Sequence, residues 1–165
     1  MTAPDWDQQM RSRLDRGEET ALGELYDQLS PLVHGLAGRI LADEAAAAQL
    51  TREVFAHVWA HPEEFDPGAR SLRSWIGELT HRRAVERLRQ SSLAAAEIRA
   101  RAAAARAQYV VAALPPSLRE TIETTASECR TYQETARRLG ISEQAAKQRL
   151  RLGLQLLSAE LEFGS

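Results

Sequence analysis

TYQETARRLGISEQAAKQRLR, residues 131–151, is where the chain commits to an architecture. Thr131 and Glu134 form a capping box. The threonine hydroxyl accepts from the third helical N–H, and the glutamate reaches back to the cap residue's own N–H. The helix this opens runs to Leu139, where Gly140 supplies the left-handed residue that ends a helix. Ser142 then caps a further helix reaching to about Leu161. Ala136, Leu139, Ile141, Ala146 and Leu150 fall where the two helices must meet, and Ala136 is small enough for a near-perpendicular crossing. This is the helix-turn-helix layout, whose second helix enters the major groove. Glu143, Gln144, Lys147, Gln148, Arg149 and Arg151 lie on or beside its open face, with Ser142 at its start. Gln, Lys and Arg reach base edges, and a helix N-terminus favours phosphate.

Upstream, Pro115-Pro116 closes one segment, and a short helix is expected from Leu118 to about Ser127. Before the prolines lies SSLAAAEIRARAAAARAQYVVAAL (91–114), rich in Ala and Arg. It reads as a helical connector, or as a linker ordered by a partner, with Leu93, Ile98 and Val110 as anchors. Three more helices are expected before it. In the first, Leu22, Leu25, Tyr26, Leu29, Leu32, Val33, Leu36 and Ile40 recur at spacings of three and four. Pro31 inside this run is expected to kink or break the helix near Ser30. The second runs from about Asp43 to Ala60 on a stripe of Leu50, Val54 and Val58, continued upstream by Ala46 and Ala47. HPEEFDPGA (61–69) is a loop, marked by two prolines and a glycine. Ser71 caps the third, Leu72 to about Arg89. Leu72, Trp75, Ile76, Leu79 and Leu88 line its apolar side, and Arg73, His81, Arg82, Arg83, Arg87 and Arg89 lie elsewhere on it.

The 165 residues are heavy in Ala and Leu and poor in β-branched residues, a mix that favours helix over strand. The expected fold class is all-α, with two small helical domains, 1–90 and 114–161, joined by a connector, 91–113. Residues 162–165 read as a cloning scar or the start of a linker. The net charge of −2 hides a segregation: residues 1–65 carry −7, 66–113 carry +5, and 114–165 balance. A basic middle beside an acidic start points to a polyanion-facing surface and a separate surface for another partner. One cysteine, Cys129, excludes an internal disulfide and a cysteine-built metal site. No apolar run approaches the roughly 18–20 residues that span a bilayer, and the N-terminus lacks the pattern of a signal peptide. A cytoplasmic protein without membrane insertion is expected. His57, His61 and His81 have no companions at metal-ligand spacing, so no metal and no cofactor are expected. His34 reads as structural, and Glu63-Glu64 as solvated loop charge. Without a nucleotide loop or nucleophile motif, an enzyme is not expected.

GEETALGELYDQLSPLV, then REVFAHVWAHPEEFDPGARSLRSWIGELTHRRAVERLRQ, then LPPSLRE with TYQETARRLGISEQAAKQRL, resemble in order and separation the extracytoplasmic-function (ECF) sigma factors of bacterial RNA polymerase. The resemblance covers roughly residues 17–89 and 112–161. It implies a region 2 that binds the polymerase clamp and helps melt the promoter, and a region 4 that reads the upstream element. The loop 61–70 would take up an extruded base and helix 71–89 would track the strand, with Arg70, Arg73, Trp75, His81, Arg82, Arg83 and Arg87 as its DNA-facing residues. Trp75 serves either as that stacking surface or as core. The recognition helix would begin at Glu143. An anti-sigma protein is the expected regulator.

The sequence departs from the family in places. Its acidic run before an L-V-Q-E-V-F-like stretch falls here on Ala46, Ala47, Ala48 and Gln49, and the following Gln on Arg52. Polymerase contact is therefore expected from Asp43, Glu44, Gln49, Arg52 and Glu53. An Asn position that often reads the promoter is Arg82. Leu152, Leu154, Leu156 and Leu157 stand where a basic run is usual, and suit burial in the domain core or against a protein. A degenerate sigma-like protein, binding a regulator or DNA without productive polymerase contact, is the second reading.

Overall fold

The computed structural model describes the backbone of residues 3–127 and 131–162, and the side chains of 5–127 and 131–159. Cys129 and the terminal Phe163-Gly164-Ser165, singled out above, lie outside the described residues. The described chain is built from helices: α1 (Ala3–Asp15), α2 (Glu19–Leu41), α3 (Glu44–Ala60), a 3-10 turn (Pro62–Glu64), α4 (Leu72–Arg89), α5 (Ala95–Ala112), α6 (Pro116–Ser127), α7 (Tyr132–Leu139) and α8 (Glu143–Glu162). It divides into two compact units, Met1–Tyr109 and Val110–Ser165, with the boundary inside α5.

In the first unit, α2 packs on α3 and α4. The apolar residues spaced at three and four turn inward: Leu25, Val33 and Ile40 of α2 and Leu50, Val54 and Val58 of α3 are fully buried. Asp43 caps α3, accepting from the Ala46 N–H at 3.0 Å, and Ser71 caps α4, accepting from the Ser74 N–H at 3.1 Å. Pro31 does not break its helix; α2 runs through it. The proline and Asp27, whose carbonyl it leaves without a helical donor, are both exposed. Water can serve that carbonyl while Leu29 and Val33 hold the opposite face in the core.

The Ala/Arg-rich segment is helical, and its first four turns belong to the first unit. Ile98, Ala102, Ala105 and Tyr109 are buried, a 4-3-4 spacing that makes one face of a helix. Tyr109 needs room on α4, and Gly77 provides it. A Cβ at position 77 would lie 2.4 Å from the ring's Cε1. The ring is pinned by its hydroxyl, which donates to the Arg73 carbonyl at 2.7 Å.

In the second unit, α6 and α7 both pack on α8. Thr131 and Glu134 form the expected capping box, and Gly140 ends α7 in the left-handed region at φ +65°. Ala136 and Ala146 are 2% and 0% exposed, so small residues sit at the α7–α8 contact. Two threonines of α6 are compatible with burial because their hydroxyls are paired. Thr121 donates to the Ser117 carbonyl at 2.7 Å and Thr125 to that of Thr121 at 2.7 Å. Thr125 also meets the Thr135 hydroxyl at 2.9 Å.

Candidate nucleic-acid interface

The second unit presents the simpler surface. Ser142 caps α8, accepting from the Ala145 N–H at 3.0 Å. Glu143, Gln144, Lys147, Gln148 and Arg151 are exposed, while Arg149 is half-buried. Gln144, Lys147, Gln148 and Arg151 line one shallow depression, as the i, i+3, i+4, i+7 spacing requires. Arg149 stands off that face. Lys147 Nζ lies 6.0 Å from the centroid of the Tyr132 ring on α7. Leu152, Leu154 and Leu156 are 48%, 57% and 40% exposed, so they do not enter the core. Gly153 turns inward instead, against Ile122.

The residues expected to face DNA in the first unit are mostly engaged within it. Arg70 pairs with Glu78, and Arg87 with Glu53. Arg83 Nη2 donates to His57 Nδ1 at 3.0 Å, while His57 Nε2 lies 2.7 Å from Glu64 Oε2. The Arg73 guanidinium lies 5.1 Å from the Tyr109 ring centroid and donates to the Tyr109 carbonyl at 3.2 Å. Trp75 is 5% exposed, its ring 5.5 Å from that of Phe65. Its indole belongs to the core and offers no stacking face, so the stacking reading is corrected. His81 is half-buried beside α5. Burial, and then the Arg106 charge, push its imidazole below the ordinary value. Arg82 is exposed on α4.

Of the residues expected to meet polymerase, Gln49 and Arg52 are exposed. Asp43 is engaged as a cap, Glu44 lies 2.7 Å from His34 Nε2, and Glu53 holds Arg87. Ala47 is fully buried, whereas Ala46 and Ala48 are half-buried. Only the latter two positions and Gln49 of that turn have outward reach. Among the described residues no group of three or more His, Cys, Asp or Glu could hold a metal ion. No described helix is long and apolar enough to cross a membrane.

Sequence reasoning passed over Asp7, Arg11 and Tyr109, and weighed His57 only as a metal ligand, not as the acceptor for Arg83. Asp7 is 7% exposed and its Oδ2 accepts from the Leu72 N–H at 3.2 Å. Burial raises its carboxyl above the ordinary value, against the lowering effect of that N–H. Arg11 donates to the Phe65 carbonyl. Tyr109 was legible, because it completes the 4-3-4 pattern of α5. Asp7 and Arg11 carry no pattern beyond a four-residue spacing.

The family model for Sigma-70 region 2 matches residues 25–93, and that for Sigma-70, region 4 matches 104–157. The ECF RNA polymerase sigma factor SigK of Mycobacterium bovis is 30% identical over 159 residues, an alignment covering 85% of each chain. The chain belongs to the ECF RNA polymerase sigma factors. SigK of Mycolicibacterium vanbaalenii is 38% identical over 74 residues, 45% of this sigma factor and 38% of that one. Among solved structures, CnrH in complex with the cytosolic domain of CnrY is 23% identical at a TM-score of 0.47, over 96% of this chain and 99% of that one. BldN in the RsbN-BldN complex is 23% identical at a TM-score of 0.44, over 90% and 97%. The region 2 match begins inside α2, so α1 lies outside it. The region 4 match begins inside α5.

Proposed function

We propose that this ECF sigma factor brings core RNA polymerase to specific promoters through three surfaces. Gln144, Lys147, Gln148 and Arg151 on α8 read the upstream element in the major groove, with Ser142 and Glu143 at the helix start and Arg149 at its margin. The loop 61–70 and the exposed side of α4, including Arg82, take up the melted strand. Arg70, Arg83 and Arg87 reach phosphate by exchanging their present partners. The outer face of α3 and its approach, Asp43, Glu44, Gln49, Arg52 and Glu53, meets the polymerase clamp. The chain divides accordingly into a region 2 domain (1–90), a connector (91–113) and a region 4 domain (114–161). It works in the cytoplasm and carries out no chemistry of its own. An anti-sigma protein holds it inactive, and Leu152, Leu154 and Leu156 give such a regulator an apolar surface. The observation that carries this reading is the capped α7–α8 pair with four polar side chains on one open face. Run-off transcription with purified core polymerase tests it: a promoter-specific transcript is expected, and its absence together with no polymerase binding would overturn it.

A second reading has its own observation. Ala46 and Ala48 leave the clamp-facing turn without carboxylates, and Glu44 and Glu53 are paired inside the unit. In that reading the chain binds a regulator or DNA and does not drive initiation. A tight complex with core polymerase would count decisively against it.

A further inference from the structure

Helix α1 has no share in the surfaces assigned above, yet it holds the loop 65–71 at both ends. Arg11 donates to the Phe65 carbonyl where the loop begins. Asp7 accepts from the Leu72 N–H where it ends. The two side chains are four residues apart and so share one helix face. The first N–H groups of a helix lack partners within it, and a carboxylate there suits the helix dipole.

The helix that carries them is itself fixed. Met10 and Leu14 are 1% and 4% exposed in the core. Arg13 ties the far end of α1 to Glu18 at 2.9 Å and to Glu24 at 2.7 Å. Between the two holds, the loop is shaped by its own bonds. Asp66 Oδ1 accepts from the Gly68 N–H at 2.9 Å, and the Asp66 carbonyl from that of Ala69 at 3.1 Å. Phe65 is 1% exposed, whereas Gly68 and Ala69 face solvent. The exposed tip is thus suspended between two points that α1 sets.

We propose that Asp7 and Arg11 are positioning residues that hold the loop 65–71 in the shape that takes up an unpaired promoter base. The inference rests on the promoter role given to that loop above. Neither residue contacts the base; each acts through one backbone group, the Phe65 carbonyl or the Leu72 N–H.

The test uses the full chain bound to core RNA polymerase and a pool of junction DNA, duplex upstream and single-stranded downstream, randomised in both parts. Sequencing the bound fraction gives the preference at each position. If the wild-type chain shows no preference at any unpaired position, the promoter role of the loop fails, and this inference with it. If it shows one, D7A and R11M are expected to lower it at one or two adjacent unpaired positions by about tenfold, the scale of a lost charge-assisted hydrogen bond. Preferences in the duplex part should be unchanged. D7N keeps an acceptor for the Leu72 N–H and is expected to keep the preference. Wild-type preference in both D7A and R11M overturns the proposal, as does a uniform loss across unpaired and duplex positions. If either variant is unstable, hydrogen exchange in R11Q, which removes the charge and shortens the reach toward the Phe65 carbonyl, decides. Amides 65–72 should exchange about tenfold faster while those of α2 and α3 keep their rates; equal acceleration everywhere refutes the positioning role.

Discussion

In the first unit, Arg70, Arg73, Arg83 and Arg87 each meet a partner inside the fold: Glu78, Tyr109, His57 and Glu53. In the second, Gln144, Lys147, Gln148 and Arg151 stand together on one exposed face of α8. The two regions look alike as sequence, since both are basic helices behind a capped turn. They differ because α4 is flanked by α3 and α5, which bring acceptors within reach of its cations. Among the described residues of its unit, the outer face of α8 meets the Tyr132 ring of α7, 6.0 Å from Lys147 Nζ, and forms no ion pair. A basic helix therefore becomes an open basic surface only where its own unit leaves that surface uncovered.

The packing beneath the two surfaces differs in the same direction, and one substitution applied to each unit exposes it. Gly77 and Gly153 both lie where an added Cβ would fall 2.4 Å from a neighbouring side chain. At Gly77 that neighbour is the Tyr109 ring, held by its hydroxyl. At Gly153 it is Ile122 Cδ1, the free end of a flexible chain. Gly77→Ala is expected to cost about 2–3 kcal/mol through overpacking. Gly153→Ala should be neutral within about 1 kcal/mol, because the gain in helix propensity offsets the adjustment of Ile122. The three tryptophans, Trp6, Trp59 and Trp75, all lie in the first unit, so tryptophan fluorescence reports that unit alone. The fluorescence midpoint in urea should fall in Gly77→Ala, whereas in Gly153→Ala hydrogen exchange of the α6–α8 amides, which reports the second unit, should give the wild-type opening free energy within about 1 kcal/mol. Equal shifts would erase the contrast.

The next largest effect concerns α3. Carboxylates at Ala46, Ala48 and Gln49 would point outward, as Ala47 could not. The triple substitution Ala46→Asp, Ala48→Glu, Gln49→Asp is expected to raise affinity for core polymerase roughly tenfold, the sum of a few exposed ion pairs. The added acids also lie in the early turns of α3, where the helix dipole favours them. Titration against labelled core polymerase measures it. Unchanged affinity would mean that this turn does not face the clamp in this chain.

The fold was open to sequence reasoning because helical periodicity, caps and prolines act locally. Asp43, Ser71, Thr131 and Gly140 did what their residue types dictate. Pro31 misled because its effect depends on which face of α2 it occupies. The site was less legible, since availability of a cation depends on long-range partners. Nothing local tells that Arg87 will meet Glu53, 34 residues away, or that Arg11 will meet the Phe65 carbonyl, 54 residues away. Trp75 had two readings, and only the packing of Phe65 against it separates them.

DNA binding should follow the same division with a smaller effect. Arg151 is exposed on the α8 face and, on a duplex without the promoter sequence, meets phosphate in place of a base edge, so Arg151→Ala is expected to remove one phosphate contact. The slope of log affinity against log salt should then fall by about 0.9. Arg87 is paired with Glu53, and Arg87→Ala should leave that slope within about 0.3 of wild type on an intact duplex. Fluorescence anisotropy with a mixed-sequence duplex across a salt series measures both. A slope change for Arg87→Ala equal to that for Arg151→Ala would mean that the Glu53 pairing yields to DNA.

The smallest expected effect is at Asp7, whose counterpart in the second unit is the exposed cap residue Thr131. Thr131 caps α7 with a neutral hydroxyl in water. Asp7 serves α4 with a buried carboxyl, raised above its ordinary value of 3.8 chiefly by desolvation. Because folding raises this acid's pKa, its stabilising contribution is fully present below the unfolded value. It is lost as pH rises through the folded value. Above the folded value the carboxylate is charged in both states, and burying that charge opposes folding. Asp7→Asn keeps an acceptor for the Leu72 N–H without the charge. It is expected to stabilise the first unit slightly at pH 7. The advantage should shrink as pH falls and vanish below about 3.8, where the unfolded carboxyl is itself protonated. Urea unfolding followed by tryptophan fluorescence, wild type against variant at each pH, isolates this difference because the other acids titrate in both proteins. Destabilisation by Asp7→Asn at pH 7 would show that the attraction between the carboxylate and the start of α4 outweighs desolvation. The buried cap would then be the stronger of the two.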